Sequence, residues 1–213
     1  KPRSAAGMDG WKPAELRHLP LEAWSQRRRI LTLAYLLKKS PDCYYHVGAP
    51  ALRKTDRIKQ ATTSEADKRD SPLDPLNHRI LSLFSSLYRT ESGATYREHM
   101  RWLKTWLHPS LFGAVPGRDF SDVSWDAQAQ IESAINEGRD LTIFLMDYWK
   151  FFDAFDPVFV NSMLKAVGFD PDYADMLLDL YTNLHRYFKF QGTYGDPIVG
   201  ANGMGQGDSA ALL

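Results

Sequence analysis

Two short stretches hold the residue types best suited to chemistry. The first, Asp140 to Asp156, reads DLTIFLMDYWKFFDAFD. Its apolar run, Thr142 to Met146, has the length and the Ile, Phe and Leu content of a buried strand, and it ends on Asp147. A carboxylate at the mouth of a buried strand is costly unless a metal, another cation or water meets it. The aromatic pair Phe151 and Phe152 follows, and then Asp153 and Asp156. The second stretch is a tight glycine-rich turn, Gly203-Met204-Gly205-Gln206-Gly207-Asp208. It lacks the Gly-Lys-Ser/Thr ending of a phosphate-binding P-loop, which disfavours nucleoside-triphosphate hydrolysis on that scaffold. Taken alone, Asp147 reads equally as a helix cap or half of a salt bridge, and the turn is just as ambiguous. No HExxH, CxxC or Gly-x-Ser-x-Gly pattern offers a competing site, and His78, His99 and His185 read as surface or helix histidines.

The rest of the composition bounds the setting. At 213 residues, 44% hydrophobic and 24% charged, the chain is long enough to bury a sizeable core and has the make-up of an ordinary soluble protein. No run approaches the ~20 apolar residues of a membrane span, and no signal-peptide pattern stands at the start. The first residue, Lys1, and the apolar ending Ala210-Ala211-Leu212-Leu213 give the expectation of a piece of something longer. The single cysteine, Cys43, excludes an internal disulfide and a cysteine-rich zinc site, and suits a reducing compartment. The net charge of zero hides an asymmetry. Residues 1–60 hold 13 basic and 5 acidic residues, a local +8, and residues 111–213 hold 6 and 15, a local −9. A basic first part suggests a polyanion partner and an acidic last part suggests cations or a metal, unless both are simply solvated faces.

The elements that must position these residues alternate irregularly, so the class is mixed α and β. The amphipathic pattern predicts helices over 21–39, 95–108, about 119–136, 157–167 and 171–184, and a helical side over 76–89. A short helix opens at Pro13 and another begins at Ser209. Strands are predicted over 47–54 and 142–146, with a hairpin of 187–191 and 197–201 around Gly192 to Asp196. Arg27-Arg28-Arg29 can face nucleic acid, though a solvated face is the commoner meaning of such a run. Residues 56–75 are polar and read as a loop or hairpin tip, and the charge balance places a boundary near Pro109 to Arg118.

Read in series, five segments resemble the reverse transcriptases of non-LTR retrotransposons and group II introns. Lys1 to Gly10 is similar to the opening "K…SPGxDG" segment. Asn77 to Arg89 resembles "NYRPISLLSVLYK", with Asn77, Arg79, Ser82, Leu83 and Tyr88 in place. Phe112 to Arg118 resembles "GFRPGRS". Asp147 to Asp153 resembles the motif A pattern "DLxKAFD", and Gly203 to Asp208 resembles motif B, "GVRQGDP". The resemblance implies an α+β fold with the fingers and palm of a right-hand polymerase, fingers-like over 1–110 and palm-like over 111–213. It implies templated transfer of deoxynucleotides to a primer 3′ end, with an RNA template, a DNA primer, deoxynucleoside triphosphates and Mg²⁺, and no membrane.

Carried over by position, the resemblance makes Asp147 the ligand of both magnesium ions, with the Tyr148 carbonyl as a further ligand. Phe152 becomes the gate against a ribose 2′-hydroxyl. Arg79 and Lys54 neutralise the triphosphate from the fingers, while Gln206 and Gly207 line the nucleotide and template pocket. Asp153 and Asp156 are left with structural roles. Several positions depart from the pattern. Phe151 replaces the usual small residue before the gate, Gly205 replaces an Arg, and Ser209-Ala210-Ala211 replaces "PLS". "RPI" has become Arg79-Ile80-Leu81. The aromatic-x-Asp-Asp hairpin and the thumb that the resemblance implies would lie beyond Leu213, so these residues hold one of the expected catalytic carboxylates. One rival expectation is a reverse-transcriptase-like scaffold that binds RNA or protein without catalysis; a second is an unrelated α/β protein with chance matches, which predicts no shared geometry among Arg79, Asp147 and Gln206.

Overall fold

The computed structural model describes residues 5–53, 78–113, 115–148, 150–190, 192–200, 202–206, 208–209 and 211. Lys54, Asn77 and Gly207 therefore lie outside the described residues, as does the 56–75 segment. The chain is α+β. A short 3₁₀ turn at Glu15–His18 precedes helix α1 (Leu21–Leu37), and another, Asp42–Tyr44, precedes strand β1 (His46–Arg53). Strand β2 (His78–Ile80) leads into α2 (Ser86–Trp106). Four further helices follow: α3 (Phe120–Asn136), α4 (Phe151–Ala154), α5 (Pro157–Ala166) and α6 (Pro171–Thr182). The hairpin β3 (His185–Phe190) and β4 (Thr193–Val199) completes the regular structure.

The sheet has the order β2-β1-β3-β4. Its centre is a parallel ladder in which His46 faces His185 and Pro50 faces Lys189. β2 pairs antiparallel on one side, Leu52 opposite Arg79, and β4 on the other, His185 opposite Val199. The hairpin is tighter than the sequence suggests. Thr193 to Asp196 belong to β4 rather than to the turn, and Pro197 lies within that strand. An exposed edge strand can carry proline because the missing N–H faces no neighbour, and a register shift between Tyr187 and Lys189 absorbs the irregularity.

Helix starts follow their capping residues. Asp119 and Asp122 form a reciprocal capping box at α3, and Asp156 and Asp170 cap α5 and α6, each followed by proline in the first turn. The predicted helical side over 76–89 is corrected. Residues 81–85 are extended, because the Leu81 and Leu83 amides donate to the Pro50 and Gly48 carbonyls at 3.2 and 2.7 Å. Ser85 then caps α2 by accepting the Tyr88 amide at 3.1 Å. From there one continuous helix runs through Gly93 to Trp106, where the sequence suggested a helix starting only near Thr95.

The core lies in two clusters. One joins Ala34 of α1 to Leu164 of α5, to Phe169, and to Tyr173 and Leu177 of α6. The other gathers Tyr44, Val47, Phe84, Tyr88, Leu180, Tyr181, Leu184 and Met204 beneath the sheet. The expected strand over 142–146 is absent. Residues 141–148 have no regular structure, and Phe144, Leu145 and Met146 are 84%, 94% and 82% exposed. An apolar run becomes a strand only when a neighbouring strand meets its backbone groups, and none of β1 to β4 pairs with this one. α3 is likewise exposed along most of its length, with Ala134 its buried residue. No helix among the described residues is long and apolar enough to cross a membrane.

Candidate functional site

The glycine-rich turn is where segments distant in sequence meet. Gly203 has φ +99°, in the left-handed region that favours glycine, and its amide donates to the Phe155 carbonyl at 2.8 Å. The Met204 amide donates to the Phe152 carbonyl at 2.7 Å. A Cβ on Gly203 would sit 3.3 Å from the Asp153 Cα, so the two backbones touch. On the other side of the turn, the Gln206 carbonyl accepts the Ser82 amide at 2.8 Å. A Cβ on Gly205 would fall 2.6 Å from Cε2 of Phe84. That ring therefore occupies the volume any side chain at 205 would start from, which accounts for glycine here in steric terms.

The opening segment joins the same region through α2. Asp9 accepts the Ser86 amide at 3.0 Å, and Ser86 donates its hydroxyl to the Trp11 carbonyl at 2.5 Å. Arg89 donates to the Ala5 carbonyl at 2.5 Å. A Cβ on Gly7 would lie 2.7 Å from the Ser85 Cα, so only glycine permits this approach. The Gly-x-Asp-Gly pattern thus holds the N-terminus of α2, where a carboxylate also complements the helix dipole.

Beside the junction lies an apolar cavity of about 520 Å³, lined among others by Gly113, Phe151, Phe152, Phe155, Tyr181 and Met204. The Phe151 ring meets Phe155 edge-on at 4.6 Å and Phe152 at 5.5 Å between centroids. Phe152 is half-buried, as a residue that forms the wall of a pocket must be. Gly113 brings the Phe112 to Arg118 segment to this cavity.

Asp147 stands apart from the junction. It is exposed, in the extended segment before Lys150, whose left-handed backbone (φ 48°) redirects the chain into α4. Among the described residues its carboxylate neither caps a helix nor forms a salt bridge. Nor is it a carboxylate at the mouth of a buried strand, since the segment before it is exposed and water reaches it freely. Tyr148 is exposed beside it, its ring 5.8 Å from that of Phe151. Arg79 is exposed on β2, three residues before Ser82, and Gln206 is half-buried. Asp156 has the structural role expected of it, accepting the Val158 amide at 2.8 Å.

Three residues were missed from sequence. Arg186 on β3 donates to the Gly203 carbonyl at 3.1 Å, and burial lowers its pKa against the opposing influence of the Asp153 charge. Nothing in the local pattern of β3 marks it. Asp208 is buried, although its place in the Gly-Gln-Gly-Asp string could have drawn notice. Arg27 turns inward, donating to the Leu87 carbonyl at 2.6 Å and the Tyr44 hydroxyl at 2.8 Å, and pairing with Glu91 at 3.3 Å. Arg28 and Arg29 stay exposed, so the arginine run splits into one structural and two surface residues. No protein-family model matches the chain, and no curated protein matches it either.

Proposed function

We propose that the chain forms the fingers and part of the palm of an RNA-directed DNA polymerase of the non-LTR retrotransposon and group II intron type. The observation that carries the reading is the junction at the glycine-rich turn. Backbone bonds there tie Phe152 to Met204 and Ser82 to Gln206. These residues belong to three of the five resembling segments. A chance series of short matches has no reason to converge in space.

In this reading the Phe152 ring, held half-buried on the cavity wall, excludes a ribose 2′-hydroxyl from the nucleotide. Gln206 and the glycine backbone about it form the floor on which the nucleotide and template base lie. Arg79 approaches the triphosphate from β2, where a forked guanidinium suits phosphate oxygens, and Lys54, outside the described residues, shares that role. The exposed Arg28 and Arg29 meet template–primer phosphates. Asp147 offers a solvent-facing carboxylate that forms no salt bridge with a described residue, and the Tyr148 carbonyl is adjacent. That donor chemistry fits Mg²⁺, which takes hard oxygen ligands and makes do with one or two carboxylates plus substrate phosphates. When bound, such ions activate the primer hydroxyl and steady the leaving pyrophosphate. The reading also requires an Asp-Asp pair, which these 213 residues do not contain.

The test is primer extension on an RNA template by the polypeptide that includes such a pair. Asp147→Asn should abolish extension while leaving RNA binding largely intact, and unchanged extension would overturn the assignment. The position of Asp147 outside the bonded junction favours a second reading, a scaffold that binds RNA or protein without catalysis. Template–primer binding with no extension by the wild-type polypeptide would support that reading instead.

A further inference from the structure

The glycine-rich turn has a buried anchor to which the reading above gives no role. Asp208 is 2% exposed. Its carboxylate accepts the Tyr88 hydroxyl at 2.7 Å, the Ser92 hydroxyl at 2.7 Å and the Tyr181 hydroxyl in a short bond. Tyr88 and Ser92 lie one turn apart on α2, and Tyr181 lies near the end of α6. Donors from two helices therefore converge on one residue of a loop. Burial, and then the Asp208 charge, push both phenols well above their ordinary pKa, so both keep the protons they donate.

The backbone of the turn is held at Gly203, Met204 and Gln206 by Phe155, Phe152 and Ser82, and Arg186 donates to the Gly203 carbonyl. Asp208 adds a side-chain tie from the turn to α2 and α6. The Asp208 amide closes the turn on the Gly205 carbonyl at 3.0 Å, which couples the carboxylate's position directly to the backbone around Gln206. A buried polar network of this kind fixes geometry only while every member is satisfied.

We propose that Asp208 is a positioning residue: through Tyr88, Ser92 and Tyr181 it clamps the glycine-rich turn to α2 and α6, and so sets where Gln206 and its backbone meet a nucleotide. The nucleotide's place on that turn rests on the reading above; the clamp does not.

Backbone hydrogen exchange on the 213-residue chain, combined with nucleotide binding, separates the two. In Asp208→Asn, exchange at Gly203 and Met204 should rise about tenfold or more relative to amides of β1 and β3, the factor that one lost buried bond supplies. Tyr181→Phe keeps the carboxylate and should give a smaller rise at the same amides, which preserves the test if Asp208→Asn does not fold. A uniform rise across α2, β1 and the turn, or no rise, would overturn the clamp and leave Asp208 a general core group. The second measurement uses a labelled deoxynucleoside triphosphate with an RNA–DNA template–primer. Asp208→Asn should weaken nucleotide binding by about tenfold, and combining it with Gln206→Ala should give less than the product of the single effects. Equal binding by wild type and Asp208→Asn would overturn the proposal and leave the polymerase reading standing. No nucleotide binding by the wild type, with exchange still localised to the turn, would sink that reading and retain the clamp.

Discussion

Met204 and Phe152 are joined through their backbones, the Met204 amide on the Phe152 carbonyl at 2.7 Å, although 52 positions separate them in the chain. The bond fixes the end of α4 against the glycine-rich turn, leaving the Phe152 ring to face the cavity from a rigid support. The role proposed for that ring can be tested directly. Phe152→Val should admit ribonucleotides to primer extension, since the bulk opposite the 2′ position is gone. Equal discrimination by variant and wild type in a competition assay would remove Phe152 from the gate.

The Gly205–Phe84 contact gives a steric prediction that is independent of function. Gly205→Ala should destabilise the chain by about 1–3 kcal/mol, the range for overpacking a filled interior. Adding Phe84→Leu removes the atoms that the new methyl meets, so the double variant should recover part of the loss. A double-mutant cycle in urea reads the coupling; additive losses would mean that the backbone, not the ring, yields at this point.

The three consecutive arginines should behave differently. Arg27→Ala leaves Glu91 half-buried without its cation and should cost about 3 kcal/mol in unfolding free energy, the lower end for breaking a buried pair. Arg28→Ala and Arg29→Ala should leave stability within about 0.5 kcal/mol. If the exposed pair contacts phosphate, each change should also reduce the slope of log affinity against log salt for RNA by about 1. Unfolding curves and filter binding at several salt concentrations distinguish the two classes.

Acid sensitivity should run through Asp175. The Lys165 ammonium bonded to it, aided by Asn161 and Lys38, holds its carboxyl below the ordinary value of 3.8. A carboxyl lowered in the folded state binds fewer protons there than in the unfolded chain. Its stabilisation is thus present above 3.8 and is lost as pH falls through the lower folded value. Asp175→Asn should flatten the fall of stability with pH in that acid window and change little near neutrality. Because the group is well solvated, added salt should shrink the difference. An unchanged acid profile would rule out this linkage.

Much of the helical framework was readable because its signals are local. Asp119 with Gly138, Pro157 with Gly168, and Pro171 each mark a boundary by chemistry that acts within one turn. The errors fall where distant partners decide. The apolar period over Ile80, Leu83, Phe84 and Leu87 resembles a helix, yet Gly48 and Pro50 claim the amides of 81 and 83. Thr142 to Met146 has strand composition, but a strand exists only through a ladder, and none reaches it among the described residues. The roles of Asp208 and Arg27 were hidden for the same reason, since their partners sit 27–120 and 17–64 positions away. The order of the segments was legible in the sequence; the contacts between them were not.

The ladder between β1 and β3 has a consequence for how the molecule is made. It pairs residues 46–50 with 185–189, so β1 has no parallel neighbour until residues 185–189 have been synthesised. Long-range pairings of this kind are slow, because loop closure must come before contact is rewarded. As the chain leaves the ribosome, Val47, Phe84 and Tyr88 are translated long before Leu180, Leu184 and Met204 arrive to cover them. The interval exposes apolar surface to other chains, and translation rate and chaperone supply then govern the yield of folded protein.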